Sequence, residues 1–264
     1  MDSLEKLKGD SIAIIAYHSR DPFSGDDGDT RLTYYAPSGV PTTYFNGTQS
    51  IVGGWDGVFN YYLSAYNNQM TVAVPCTISL MGSSYDRNSR NLVVNVKVTA
   101  VDTIPYSSLR LLMAFTETDI NYSWGGLPKV NHLLREMLPD AYGYLFTIRS
   151  AGQSYAKTEP LNVITGYNDE KCEVVIFVQH YFSKKVLVSK SFKLTSFGDL
   201  NQDNTCDIQD ALILINYVFY SGPPPFSLSF ADVNNDCVVD IGDITYLINY
   251  LFYSGASPKI GCAQ

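Results

Sequence analysis

The sequence has no C-x-x-C pair, and its cysteines (Cys76, Cys172, Cys206, Cys237 and Cys262) stand too far apart to hold a zinc ion from one short motif. Dithiol exchange therefore has no nucleophile here. Charge is scarce too: 17% of residues are charged, and 18 basic against 26 acidic side chains leave a net charge of -8. Nucleic acid needs clustered Lys and Arg to meet its phosphates, so it is excluded as a partner. The three histidines, His18, His132 and His180, share no spacing that would build a relay or a metal site, and no G-x-S-x-G marks an acyl-transfer nucleophile. The expectation is a protein that is not an enzyme. No run approaches the ~20 apolar residues of a membrane span. Met1-Asp2-Ser3 opens no signal peptide, so a mature or truncated form is expected.

What the chain has in abundance is tyrosine, at 20 positions, within a 45% hydrophobic composition. Low charge with many Tyr and Thr favours β-rich structure over disorder. The length allows one large or a few small domains, and the patterns divide at residues 1–70, 71–195 and 196–264.

The last segment says the same thing twice. Asp199, Asn201, Asp203, Asp207 and Asp210 recur 33 residues later as Asp232, Asn234, Asp236, Asp240 and Asp243. These are positions 1, 3, 5, 9 and 12 of a twelve-residue EF-hand loop, in which a hard cation gathers six or seven oxygens. Position 7, Thr205 or Val238, needs to offer only its backbone carbonyl. Each loop runs into a near-identical apolar segment, Leu214–Gly222 and Leu247–Gly255. This is a duplicated calcium-loop-plus-helix unit.

No amphipathic helix precedes either loop, position 12 is Asp, and position 6 is Asn204 or Cys237 where Gly is usual. A loop-helix of this form, repeated, resembles the dockerin domain from about Phe197 to Cys262. That resemblance implies two Ca2+ ions held by the ten residues named, with the carbonyls of Thr205 and Val238. It also implies a cohesin-like receptor contacted through positions 10 and 11, here Ile208-Gln209 and Ile241-Gly242. The isoleucines point to an apolar contact, or to packing on the protein's own neighbouring domain. A Cys237–Cys262 bridge would staple the end of the chain to the second loop. Cys206, at position 8, is read as a buried free thiol, and Cys76 and Cys172, in strand-like runs, as candidates for a second bridge.

Residues 1–70 read as α/β. Ser3–Lys8 ends a helix closed by Gly9, Ser11–Tyr17 is an apolar run of the buried parallel-strand kind, and Asp29–Tyr35 is a helix. Gly39–Gly47 and Ser50–Gly54 form a hairpin, and Trp55–Asn68 a closing helix. Val40-Pro41-Thr42 at a strand start resembles the second half of a thioredoxin fold, where the proline is cis. Ala16-Tyr-His18-Ser-x-Asp21-Pro-Phe23, Arg31-x-x-Tyr34-Tyr35 and Gly39-Val-Pro41-Thr42 together resemble the thioredoxin-like part of an Omp28-related bacterial envelope family. The resemblance implies a central strand and a C-x-x-C that this chain lacks. The empty place would lie between Ser11–Tyr17 and Thr42–Phe45, and would be filled by a segment of the chain itself or of a neighbour.

Residues 71–195 alternate as strands do, at Thr71–Leu80, Asn91–Val101, Leu109–Thr118, Glu173–His180 and Val186–Leu194, which suggests an immunoglobulin-like sandwich. Asn131–Met137 reads as a short helical insert. The Leu138-Pro139-x-x-x-Gly143 that follows resembles the β-rich domain of the same envelope family. Asn46-Gly-Thr48 and Asn121-Tyr-Ser123 match the N-glycosylation acceptor. The fold expected is thus multidomain α+β: a partial thioredoxin-like domain, a β-sandwich and a small calcium domain. The function expected is a secreted or cell-surface, non-catalytic docking or assembly protein. The alternatives are a subunit that polymerises into filaments, and a piece of an oxidoreductase whose C-x-x-C lies upstream.

Overall fold

A computed structural model describes residues 1–124, 126–203 and 205–263. It is a mixed α+β chain in two compact units: residues 1–78, 99–155 and 173–191 form one, and residues 79–98, 156–172 and 192–264 the other.

The first unit opens with α1 (Asp2–Lys8) and α2 (Asp26–Tyr35), then the hairpin β1 (Thr42–Phe45) and β2 (Gln49–Val52), and α3 (Val58–Met70). The Val40–Pro41 bond is cis, as the resemblance implied, and so is Leu138–Pro139. Leu4, Phe45, Tyr62, Ala65 and Tyr66 bury one another between α1, α3 and β1, with Ile12 against them. Arg31 is 3% exposed. Its guanidinium donates to Gln179 Oε1 at 2.7 Å, Tyr35 Oη at 3.2 Å and the Ala141 carbonyl at 3.3 Å. It also lies 4.7 Å from the Tyr34 ring centroid and 5.1 Å from that of Tyr35. The Arg31-x-x-Tyr34-Tyr35 spacing thus builds a buried cation held by aromatic faces and neutral acceptors.

The strands that follow are β3 (Cys76–Ser79), β4 (Ser84–Asp86), β5 (Asn91–Ala100), β6 (Leu109–Glu117), β7 (Ile120–Trp124), β8 (Leu127–Val130), β9 (Leu133–Leu138), β10 (Tyr144–Phe146), β11 (Ser154–Asn162), β12 (Cys172–His180) and β13 (Val186–Lys193). One sheet runs β10–β6–β12–β13 with β9 also on β6; a second runs β11–β5–β3 with β4 also on β5; β7 and β8 form a separate hairpin. The expected strand at Thr71–Leu80 shortens to β3, because Thr71–Val74 is exposed and Thr71 continues the turn out of α3.

Two expectations are corrected here. Asn131–Met137 is no helix: Leu133–Leu138 is strand β9, antiparallel to β6 with an irregular register at Phe115/Thr116. Leu, Arg, Glu and Met favour helices locally, but pairing with β6 buries Leu133, Leu134, Met137 and Leu138 and overrides that preference. The expected strand at Ser11–Tyr17 starts one residue later: Ser11 closes a 3-10 turn, and Ile12–Tyr17 is extended but is no ladder strand. Its one bridge is parallel, at Ala16, whose N–H donates to His132 O at 2.7 Å and whose carbonyl accepts from Leu134 N at 3.0 Å. The backbone groups of Ala13, Ile14 and Ile15 make no hydrogen bond among the described residues. Side chains still alternate as in a strand: Ile12 packs with Phe45, while Ala13, Ile15 and Tyr17 pack on Leu112, Met137 and Phe177. Among the described residues β1 is in a ladder with β2 alone, and the Asn46 carbonyl just past its end accepts from Val186 N at 2.9 Å.

The second unit ends in three helices, α4 (Ile208–Tyr220), α5 (Leu228–Ala231) and α6 (Ile241–Tyr253). Ala211 and Leu214 of α4 meet Ala231, Val233, Ile244 and Leu247 in one apolar core. The single turn of α5 precedes the second loop where the sequence suggested no helix; at four residues it is too short to present an amphipathic face.

Candidate metal centre

Both acidic loops end in the same device. Asp207 and Asp240, position 9, cap α4 and α6, accepting from Gln209 N at 2.7 Å and Gly242 N at 2.6 Å. Asp210 and Asp243, position 12, reach back to the cap N–H at 2.8 and 3.0 Å, completing capping boxes. The same aspartates receive the start of the loop: Asp210 Oδ1 accepts from Leu200 N (2.7 Å) and Asn201 N (3.2 Å), and Asp243 Oδ1 from Asn234 N (3.2 Å). Position 12 therefore ties the loop's beginning to its helix, which a short Asp does because the loop comes to it.

Between these ends the repeats share their backbone bonds from positions 5 and 7. Asp203 N donates to Asp199 Oδ1 (3.2 Å) and Asn201 Oδ1 (2.9 Å); Asp236 N donates to Asp232 Oδ1 (3.0 Å) and Asn234 Oδ1 (2.9 Å). Thr205 N and Val238 N donate to the position-5 carboxylates at 2.9 and 3.0 Å. Asn204 lies outside the described residues.

The electrostatics ask for a cation. Asp210, Asp232 and Asp243 are fully buried, and among the described residues none of them pairs with Lys, Arg or His. Burial pushes the Asp243 carboxyl up to about 6, helped by repulsion from Asp232 and Asp236, against the pull of its backbone donors. Burial raises Asp210 likewise, with Asp199 adding to the effect. Buried carboxylates without counter-charge are costly. Oxygen-only donor sets of this kind fit a hard divalent cation.

The second loop has a further layer. Cys237 and Cys262 form a disulfide across 25 residues of chain. Beside it, Asp232 Oδ2 accepts from Cys237 N (3.0 Å), Cys262 N (2.8 Å) and Ala263 N (3.1 Å). The sequence pointed to the bridge but not to these last two donors, for which only the neighbouring Gly261 hints: a Cβ there would lie 2.2 Å from Asp232 Cγ.

The other three cysteines form no disulfide among the described residues. Cys76 and Cys172 do not pair, which corrects the expected second bridge; Cys172 Sγ instead turns onto its own loop and donates to Asn168 O at 3.2 Å. Cys206 is half-buried rather than buried, and its thiol is pushed up to about 12 by burial and by Asp210, Asp199 and Asp207. Ile208 and Ile241 are 46% and 57% exposed on the first turns of their helices, with Gln209 exposed and Gly242 half-buried beside them. Asn46, in the β1–β2 turn, and Asn121, on β7, are exposed.

Comparison with known proteins agrees with the loops. Residues 197–252 match the dockerin type I domain, a domain type that binds calcium. Among solved structures, HBP35 of Porphyromonas gingivalis superposes with a TM-score of 0.53 at 14% identity, over 67% of this chain and 62% of that one. A domain of the outer membrane lipoprotein Omp28 from the same organism matches at 15% identity and a TM-score of 0.33, over 47% of this chain and 90% of that one. The chain thus spans less than two thirds of HBP35, and at such identity the likeness concerns the fold. No curated protein matches.

Proposed function

We propose that the chain is a non-catalytic, secreted or cell-surface docking protein whose last segment, residues 196–264, binds two Ca2+ ions and a protein partner. The observation that carries this is the repeated loop whose buried Asp210, Asp232 and Asp243 meet no basic side chain among the described residues. One ion belongs to Asp199, Asn201, Asp203, Asp207, Asp210 and the Thr205 carbonyl. The other belongs to Asp232, Asn234, Asp236, Asp240, Asp243 and the Val238 carbonyl. Bound Ca2+ supplies charge neutralisation, which lets the position-12 aspartates stay ionised while they hold loop to helix.

The partner surface is the exposed start of each helix, Ile208-Gln209 and Ile241-Gly242. The stripes continue along α4 as Leu212 and Phe219 and along α6 as Phe252, each more than half exposed. An apolar, cohesin-type receptor face suits them. In front of this module we place a partial thioredoxin-like domain (residues 1–70) and an immunoglobulin-like sandwich (71–195), and the sequence resemblance of the front segments to an Omp28-related envelope family suits a bacterial cell-surface setting. The test is calorimetry of the full chain with Ca2+, then with a panel of cohesin modules. Two calcium sites, and cohesin binding lost in Ile208→Asp/Ile241→Asp, support the reading; one site or none overturns it.

A second reading rests on the unbonded backbone of Ala13–Ile15. A strand donated by another copy would satisfy it, and head-to-tail donation of that kind builds filaments instead of closed dimers. Sedimentation of the purified chain with calcium separates the two: a monomer removes the filament.

A further inference from the structure

The two calcium loops are near copies, yet the chain after α6 treats the second one differently. Residues 259–263 form a strip with partners on two sides. Toward the strand edge, Ile260 exchanges backbone hydrogen bonds with its neighbours, its N–H donating to Ser83 O at 2.9 Å and its carbonyl accepting from Gly82 N at 2.6 Å. Lys259 bridges Ser84 antiparallel. Toward the loop, Lys259 N donates to Val233 O (3.1 Å), Gly261 N to Ser229 O (2.7 Å), and Cys262 N and Ala263 N to Asp232 Oδ2 (2.8 and 3.1 Å). The disulfide from Cys262 to Cys237 closes the strip onto position 6 of the same loop.

We propose that this strip is an integral part of the second calcium site: it fixes Asp232 in its ligand orientation, and the affinity of that site, unlike the first, is conditional on the Cys237–Cys262 bond. The inference rests on the calcium reading above and extends it.

The physical argument has three steps. Position 1 of such a loop must present one carboxylate oxygen to the cation while the other is spoken for. In the second loop Oδ2 is held by three N–H donors, two of them from the strip, and Asp232 is fully buried. Partners that orient a ligand raise metal affinity, and removing them typically costs about 10–100-fold. The strip itself is held at Cys262 by a covalent bond, so its lost freedom is charged to the unfolded chain and not to calcium binding. Cys237 occupies position 6 with φ of +73°, a backbone state that Gly adopts freely and other residues resist. The bridge and the Cys237 N–H to Asp232 hold that conformation in place.

The test is calcium titration of the full chain by calorimetry, with sites assigned by Asp210→Asn and Asp243→Asn. In Cys237→Ser/Cys262→Ser the site removed by Asp243→Asn should weaken by about tenfold or more, while the site removed by Asp210→Asn keeps its affinity. Gly261→Ala, which leaves the bridge intact but drives a Cβ into Asp232, should weaken the same site and not the other. Cys206→Ser serves as the control thiol and should alter neither disulfide-linked effect. Reduction with dithiothreitol, which passes two electrons and two protons to the bridge and closes to its own cyclic disulfide, should reproduce the double-serine result. Amide exchange at Cys262 and Ala263 should be protected in the calcium-loaded chain and quicken once the bridge is gone. Two sites of unchanged affinity in both Cys237→Ser/Cys262→Ser and Gly261→Ala overturn the proposal and leave the calcium reading standing. Absence of a second site in the intact chain overturns both.

Discussion

At the residue scale, the acids at position 12 of each loop carry the most. Asp210 and Asp243 each join a helix cap to the loop's beginning, and on the proposed reading each is also a calcium ligand. Replacing either with Ala should abolish one calcium site and spare the other, as stoichiometry by calorimetry will show. It should also cost about 1–3 kcal/mol from orphaned backbone donors even without calcium. The thiols give a second expectation. Burial pushes Cys76 up to about 11 and Cys206 up to about 12. At pH 8 roughly one in a thousand of the former is thiolate, and fewer of the latter. Iodoacetamide should label neither at a useful rate in the native protein and should label three thiols after denaturation; fast native labelling of Cys206 would contradict the burial described. The two aspartates stood out in the sequence by their repeated spacing, and the structure places each at its helix cap and the loop's beginning. That Cys76 and Cys172 stay apart was not legible, since two strand-like cysteines announce nothing about which way each side chain turns.

At the element scale, helices and long strands came through because their periodicity is local. β5 and β6 fall within one residue of the bounds read from alternation, and α2 and α3 within three. β9 did not, because its sequence favours a helix and only pairing with β6 decides otherwise. β11 was missed as well: Lys157, Thr158, Glu159 and Pro160 dilute its alternation, and an edge strand tolerates both charge and proline. The extended Ile12–Tyr17 run shows the reverse case, a strand pattern without a ladder. Amide exchange should separate its parts: Ala16, bonded to His132, should exchange slowly, and Ala13, Ile14 and Ile15 fast. Slow exchange at all four in a sample that sediments as an oligomer would show the open edge filled by another copy.

At the scale of the whole molecule, calcium should divide the chain into parts of unequal stability. The core around Ala211, Leu214, Ala231, Val233, Ile244 and Leu247 is small, and its acidic loops repel themselves when no cation is bound. A chelator should therefore lower the melting of residues 197–262 first and leave the strands of the first unit unchanged, seen as two transitions in calorimetry where calcium gives later unfolding of the tail. A single transition insensitive to chelator would count against metal-dependent folding. Low charge with many Tyr and Thr had indicated β-rich structure, and the repeated acidic spacing had set the last segment apart as a duplicated loop-plus-helix unit. How the strands divide between the two units could not be read from either, since that depends on pairings between residues far apart in the chain.

The disulfide has a mechanical consequence as well. Tension entering the module from the preceding chain reaches Cys237, crosses the sulfur bridge to Cys262, and leaves without passing through what lies between. Helix α6 sits wholly inside that bypass and carries no load. Its twin α4 has no such shunt among the described residues and lies in series with the pull. Under a pull applied along the chain from before α4 to beyond Cys262, two halves of nearly the same sequence become a yielding link and a protected one.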